Sequence, residues 1–411
     1  MTYEFEYLMH LVGVSALGLP FERPKQELCW KKLFDLASEQ AVYALAASAA
    51  KPVWNVLEPE LKQDVRARLY SVVVSEDIRQ NAIWELIECF RSKDIPCALL
   101  KGMGLSALYK TPELRESGDV DLYVGKENEK RALSLLQQHG VSITKRNPTQ
   151  HESAGYHSEI GPIELHAYLF REEDRKLWFG RSEKYTDDID SFVSQEISEN
   201  REIPVLAVQN NVEFLCLHFI KHFIREGISI RNILDVGLFL QAYENEIDHN
   251  RLWELLKSLG YDGIIQVALN ICVHYFHMPE ERFANFSPLD LNTVLLVLND
   301  IEQGGYFGAK EHCERSKSAQ EYEKSVFGGS KWKRRRLFWE RIYAAVPDKQ
   351  KLQRKYSYAH KRAWLLPFAW LSYLASGSLK LLKQSIVKTQ TEKELSQNGR
   401  IEMFKNLGIM K

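Results

Sequence analysis

Apolar residues recur at helical spacing over residues 26–93. Leu33, Leu36, Ala37, Ala41, Leu45 and Ala46 form one series and Ile83, Leu86, Ile87 and Phe90 another, so this segment is predicted to be helical. At Asp94 the pattern changes. Ile95-Pro96-Cys97-Ala98-Leu99-Leu100 is a short continuous apolar run, followed by Lys101-Gly102-Met103-Gly104 and a helical stretch from Leu105 to Tyr109. That order reads strand, glycine turn, helix. A second strand is expected at Val120–Val124 and a helix over Glu127–His139, stopped by Gly140. Tyr156–Ile160 and Ile163–Leu169 read as a hairpin around Gly161-Pro162. From about Val205 the periodicity is helical again, in Val212–Phe223, Ile230–Tyr243, Leu252–Leu259, Ile264–Tyr275 and Leu289–Ile301.

The predicted fold class is therefore α+β, a small sheet flanked by N- and C-terminal helical regions. The expected division is an N-terminal helical region (1–78), the α+β domain (79–203), a helical bundle (204–301), a linker (302–330) and a C-terminal arm (331–411). Gly304, Gly305, Gly308, Gly328 and Gly329 mark the linker. Hydrophobic residues at 45% and charged residues at 27% exclude a disordered or collagen-like chain. A net charge of −1 hides an asymmetry: residues 331–383 hold 14 of the 54 Lys and Arg but only two of the 55 Asp and Glu, Glu340 and Asp348.

Trp332, Trp339, Tyr343, Tyr356 and Tyr358 interleave with those basic residues, and Trp364–Leu371 is apolar. Three readings of the arm compete: a helical hairpin packed on the body, attachment to an anionic membrane surface through residues 331–383, and nucleic-acid binding. The acidic body argues against nucleic acid. The longest uncharged apolar stretch, Ala363–Leu379, contains Pro367 and is shorter than the roughly 20 residues a spanning helix needs. The six cysteines form no CxxC pair, which argues against a zinc framework and for reduced thiols. The acidic N-terminus MTYEFEYLMH is unlike a signal peptide. A cytoplasmic location is expected; the membrane reading of the arm would place it at the inner face of the membrane.

The chemistry concentrates in Gly118-Asp119-Val120-Asp121-Leu122-Tyr123-Val124. Side chains two apart on a strand share a face, so Asp119 and Asp121 project together. Two such carboxylates repel, and divalent cations between them relieve the repulsion. Glu164, in Ile163-Glu164-Leu165-His166, adds a third acid if its strand neighbours the first, giving an oxygen site of the Mg²⁺ type. Two metals held so would align an attacking oxygen, a phosphorus and a leaving pyrophosphate. An isolated Asp-x-Asp is more often a turn or a solvated strand start; the alternating apolar residues and the upstream strand–turn–helix favour a site here. Gly102-Met103-Gly104-Leu105-Ser106-Ala107 also fits a dinucleotide fingerprint, but the acid of that motif closes the second strand, whereas Asp119 and Asp121 open it. The glycines still allow backbone N–H groups to approach a phosphate.

Taken together, Leu99-Leu100-Lys101-Gly102, Leu114-Arg115…Gly118-Asp119-Val120-Asp121-Leu122 and Ile163-Glu164-Leu165-His166 resemble the polymerase-β-type nucleotidyltransferase superfamily. The closer resemblance is to the bacterial nucleotidyltransferase family proteins often associated with polysaccharide or peptide-modification clusters. Leu217-His218…Lys221-His222…Arg231…Leu234-Asp235 extends it, so that it covers roughly residues 25–275. The resemblance implies a polymerase-β-like sheet that moves a nucleoside monophosphate from an NTP to an unidentified acceptor, with pyrophosphate released. It implies that Asp119 and Asp121 hold two Mg²⁺ ions, with Mn²⁺ the alternative. Glu164 would complete the metal site and help to activate the acceptor hydroxyl. The turn at Lys101, Gly102 and Gly104 would cradle the phosphates, Arg115 would neutralise their charge, and Lys221 and His222 would face phosphate or substrate.

Met103 stands where the superfamily has Ser or Gly, which motivates an alternative: a catalytically silent nucleotide-binding or scaffolding module. His218 and His222, four apart, suggest a second alternative, a zinc hydrolase, although they do not form HExxH. Arg231 and Asp235 are also four apart and are expected to pair along one helix. His166 shares a strand face with Glu164.

Overall fold

The computed structural model describes residues 1–145, 152–171, 174–179, 182, 189, 192–198, 201–304, 318–319, 321–322 and 399–410. The chain divides into two units, Met1–Arg315 with Met403–Ile409, and Ser316–Glu402 with Met410–Lys411. All the elements named below belong to the first. The basic arm lies outside the described residues except for 399–410, and the apolar stretch 363–379 lies wholly outside them.

Three helices open the chain: α1 (Tyr3–Leu17), α2 (Trp30–Glu39) and α3 (Tyr43–Ala49). α1 lies within the N-terminal region expected to be helical (1–78), although no apolar series marks it. Its Phe5, Tyr7, Leu8, Met9, Leu11 and Val12 are all buried, so apolar residues spread over most of its circumference rather than along one stripe. Next comes α4 (Pro59–Ser92), 34 residues started by a proline in its first turn. It runs unbroken through residues 78 and 79, where the sequence reading divides the helical region from the α+β domain. Its buried positions fall three, four or seven apart at Val65, Leu69, Glu76, Arg79, Ile83, Leu86 and Phe90. Glu76 and Arg79 therefore stand in the middle of an otherwise apolar stripe.

Seven strands form one sheet: β1 (Ala98–Leu100), β2 (Val120–Tyr123), β3 (Ser142–Lys145), β4 (Glu152–His157), β5 (Gly161–His166), β6 (Phe192–Ser198) and β7 (Arg201–Leu206), in the order β3-β4-β5-β2-β1-β7-β6. The pairs β2–β5 and β1–β7 are parallel and the other four antiparallel. The short helix α5 (Met103–Ser106) follows β1, and α6 (Gly125–Gln138) follows β2. One face of the sheet, with Leu99, Val120, Leu122, Ile163, Leu165, Ile203 and Val205, packs on Ile83, Leu86, Ile87 and Phe90 of α4 and Ala132, Leu133 and Leu136 of α6.

The hairpin exists with a shifted turn. Gly161 and Pro162 lie inside β5, opposite His157 and Tyr156, and the chain reverses at residues 158–160. Strands β3, β6 and β7 are additions to the sequence reading. Pro204, inside β7 and opposite Ser194, is a residue that ordinarily argues against a strand.

After the sheet come α7 (Val208–Arg225), α8 (Ile230–Ala242), α9 (His249–Leu259), α10 (Asp262–Phe276) and α11 (Leu291–Gly304), close to the helices expected from periodicity. A Ser229/Asn232 capping box starts α8, and the Asp248 carboxylate accepts from the Arg251 N–H at the start of α9. α1 packs on α3 and α10, and α10 on α8 and α11. Helices from before and after the sheet thus pack against one another.

Candidate active site

Parallel pairing sets Asp121 beside Glu164 and Tyr123 beside His166. Because side chains alternate along a strand, Val120, Leu122, Ile163 and Leu165 enter the core while Asp121, Glu164 and His166 share the opposite face. His166 Nε2 lies 2.9 Å from Asp121 Oδ1 and 3.8 Å from Glu164 Oε2. One ligand atom from each of the three lies within 4.8 Å of the others. Glu152 on β4 is opposite His166 and accepts from Arg171 at 3.3 Å. Asp119 comes just before β2 and is exposed; it lines the same cleft but is not in the tight cluster.

The two paired acids are in opposite electrostatic states. Burial alone would raise the Asp121 carboxyl, but the Lys101 ammonium at 2.9 Å and the His166 contact outweigh it and hold the group well below the usual carboxylate range. Glu164 is pushed up to about 7, first by burial and then by the charges of Asp121, Glu152 and Asp119. Crowded carboxylates of which only one has an ammonium against it separate in this way.

Lys101 and Gly102 both have positive φ, 64° and 51°, in the turn between β1 and α5. The Lys101 ammonium reaches Asp121 Oδ2 on one side and lies 3.1 Å from His218 Nε2 on the other. Gly104 has a different place. Its N–H donates to the Lys101 carbonyl, and a Cβ on it would lie 3.0 Å from Gln195 Oε1 and 3.3 Å from Val205 Cγ1. It is there to let α5 approach β6 and β7.

Arg115 is buried. It donates to both carboxylate oxygens of Asp235 on α8, at 2.8 and 2.7 Å, and also to the Gly102 carbonyl and to Ser117 Oγ, both at 3.2 Å. The Tyr109 hydroxyl donates to Asp235 as well, at 2.8 Å. The turn before the acids is pinned from several sides. Arg79 donates to the Ser117 carbonyl at 2.6 Å and to the Gly118 carbonyl, and the Ser117 N–H donates to Glu76 at 3.1 Å. Arg231 donates to the Glu116 carbonyl. Glu76 and Arg79 were not singled out from the sequence. Their signal was a charged pair on the apolar stripe of α4.

The far wall of the cleft is α7. His218 Nε2 and His222 Nε2 are 3.1 Å apart, and His222 Nδ1 lies 2.6 Å from Glu226. Burial, with Lys101 next, keeps His218 uncharged; burial likewise lowers His222 against the opposing pull of Glu226. Lys221 and Arg225 flank the buried Asp174 at 3.7 and 3.0 Å. Among the described residues Asp121, Glu164 and His166 are the one cluster of three metal-ligating side chains, and the histidine pair on α7 is not part of it. The open cleft between the two walls has a cavity volume of about 220 Å³, with Lys101, Asp119, Asp121, Glu164, His218, Lys221 and His222 all lining it.

A profile of the family described as "Uncharacterised nucleotidyltransferase" matches residues 26–277. The chain belongs to that family. The nucleotidyltransferase match runs from just before α2 to the end of α10 and takes in the sheet, both walls of the cleft and the Arg115–Asp235 pair. No protein of curated function matches the chain. Among solved structures it is similar to the lincosamide antibiotic adenylyltransferase LnuA with lincomycin bound, at 15% identity and a TM-score of 0.28, over 39% of this chain and 94% of that one. Among the described residues of this nucleotidyltransferase, no helix is long and apolar enough to cross a membrane.

Proposed function

We propose that the enzyme moves a nucleoside monophosphate from an NTP to an acceptor hydroxyl, releasing pyrophosphate, with a divalent cation at the carboxylates. The observation that carries this reading is the meeting of Asp121, Glu164 and His166 within 4.8 Å on one cleft wall. The donor set fits the group. Two carboxylates suit a hard cation, and the imidazole nitrogen tilts the choice from Mg²⁺ toward Mn²⁺. Asp121 and Glu164, joined by Asp119 from the cleft mouth, would hold the ion, which supplies charge neutralisation and orientation of the triphosphate.

The remaining work falls to the chain. The Glu164 carboxylate takes the proton from the acceptor hydroxyl as its oxygen attacks the α-phosphorus. Lys101, Lys221 and His222 present positive charge or N–H groups to the phosphates, and Gly102 offers its backbone at the turn. Arg115 acts from beneath by fixing Gly102 and Ser117, rather than by touching phosphate itself. The excess of basic residues over 331–383, with the uncharged apolar stretch 363–379 among them, supports an anionic membrane surface as a further partner.

Thermal-shift measurements with each of the four NTPs, with and without Mg²⁺ or Mn²⁺, test the reading in wild type and in Asp121→Asn. Binding to the native state raises stability in proportion to the logarithm of ligand over Kd. A metal-dependent shift that the variant loses is expected. Absence of any metal-dependent shift, together with no pyrophosphate release across an acceptor screen, overturns it.

A further inference from the structure

The two oxygens of the Asp121 carboxylate are engaged by different partners. Oδ1 faces His166 at 2.9 Å, on the side of Glu164, and Oδ2 faces the Lys101 ammonium at 2.9 Å. In a two-metal phosphoryl-transfer centre, with ions about 3.5–4 Å apart, a shared carboxylate gives one oxygen to each ion. Here one oxygen already carries a cation that the chain provides. Building on the function proposed above, we infer that Lys101 takes the place of one of the two cations, so that a single divalent ion completes the centre.

Three further observations support this. The first is charge balance. Asp119, Asp121 and Glu164 bring three negative charges, which one ammonium and one divalent ion neutralise. A second ion would need to approach Oδ2 to about 2.1 Å, and the ammonium stands against that same oxygen.

The second is backbone conformation. At φ +64° Lys101 occupies the left-handed region that L-residues with a Cβ seldom adopt. Gly102 follows it at φ +51°. Such a conformation at a non-glycine residue persists where the surroundings over-determine it, and it clusters at functional sites. A glycine at 101 would relieve the conformation but carry no ammonium.

The third is fixation. The ammonium is held on its other side by His218 Nε2 at 3.1 Å, and only 19% of the Lys101 side chain is exposed. An imidazole buried and uncharged accepts from an ammonium without opposing it. In the transfer itself the acceptor oxygen forms its bond to the α-phosphorus as the bond from that phosphorus to the bridging oxygen breaks. The electron pair leaves with pyrophosphate and the acceptor proton passes to Glu164. Lys101 keeps its proton and its charge throughout.

The test counts ions rather than turnover. Mn²⁺ alone is titrated into the full-length protein and the free ion read by electron paramagnetic resonance, for wild type, Lys101→Gly, Lys101→Met and Lys101→Arg, with Asp121→Asn to identify the carboxylate site. One Mn²⁺ per chain is expected in wild type and in Lys101→Arg, and two in Lys101→Gly and Lys101→Met. Lys101→Gly suits the positive φ and Lys101→Met keeps the side-chain length, so a fold checked by circular dichroism in either variant is enough. Two ions in wild type, or one in the uncharged variants, overturns the role of Lys101 and leaves the transfer chemistry standing. No ion bound by folded wild type overturns the metal-dependent reading itself, and this inference with it.

Discussion

Arg115 and Asp235 face each other across 120 residues of sequence, Nε 2.8 Å from one carboxylate oxygen and Nη2 2.7 Å from the other, both side chains buried. A two-pronged pair of this kind joins the turn before Asp119 and Asp121 to α8. Removing one member strands the other charge in the interior, at a cost of about 3–5 kcal/mol. Arg115→Ala and Asp235→Asn should each lower the urea midpoint by a corresponding amount. Arg115→Lys should recover little, because an ammonium cannot reproduce the planar fork. A midpoint within error of wild type for either single variant would contradict the assignment.

His166 touches both acids of the cluster. As an imidazole that orients or joins the ligand set, it should contribute about 10–100-fold to metal affinity. His166→Ala is expected to weaken Mn²⁺ binding by that factor while the circular dichroism spectrum stays the same. Isothermal titration of Mn²⁺ into the two proteins reads the difference directly.

The two imidazoles of α7 predict a direction for pH dependence. Burial lowers both His218 and His222 below their ordinary value of 6.5 in the folded protein. Below pH 6.5 the unfolded chain therefore binds protons that the folded chain refuses. The contribution of this pair is present above pH 6.5 and is lost as pH falls toward the folded values. Comparing urea midpoints at pH 7.5 and 5.5, wild type should lose more stability than His218→Gln/His222→Gln. Equal losses would mean that the imidazoles are not held neutral.

Gly237 lies where α8 meets α10. A Cβ there would come 2.5 Å from Cys272 Sγ and 3.3 Å from Met278 Sδ. Gly237→Ala should destabilise by about 1–3 kcal/mol through overpacking. Adding Cys272→Ala, which removes the nearest atom, should recover much of that loss. Thermal melts of the single and double variants check the coupling.

The cluster was partly legible in the sequence because alternation writes itself into a strand: Asp121 between Val120 and Leu122, Glu164 between Ile163 and Leu165. The helices after the sheet were legible for the equivalent reason at a period of 3.6. What stayed hidden depends on which distant segment lies alongside. Nothing near Arg115 in the chain names Asp235 as its partner, and nothing near Lys101 names His218. α1 is buried on too many sides to show a pattern, and the proline in β7 obscured a strand that its pairing with β1 and β6 makes plain. Glu76 and Arg79 were visible as charges on an apolar stripe, but their meaning came only with the turn they hold.

The parallel register of β2 against β5 has a consequence for how the molecule is made. Asp121 and Glu164 are neighbours only because two strands, separated in the chain by α6, β3 and β4, align rung for rung. A slip of one residue would put Ile163 or Leu165 in place of the glutamate. An ion that needs both carboxylates thus recognises the finished sheet and no earlier form of it. Magnesium or manganese in the surrounding solution would then serve as an inspector of assembly, adding its binding energy only to chains that have found the correct alignment.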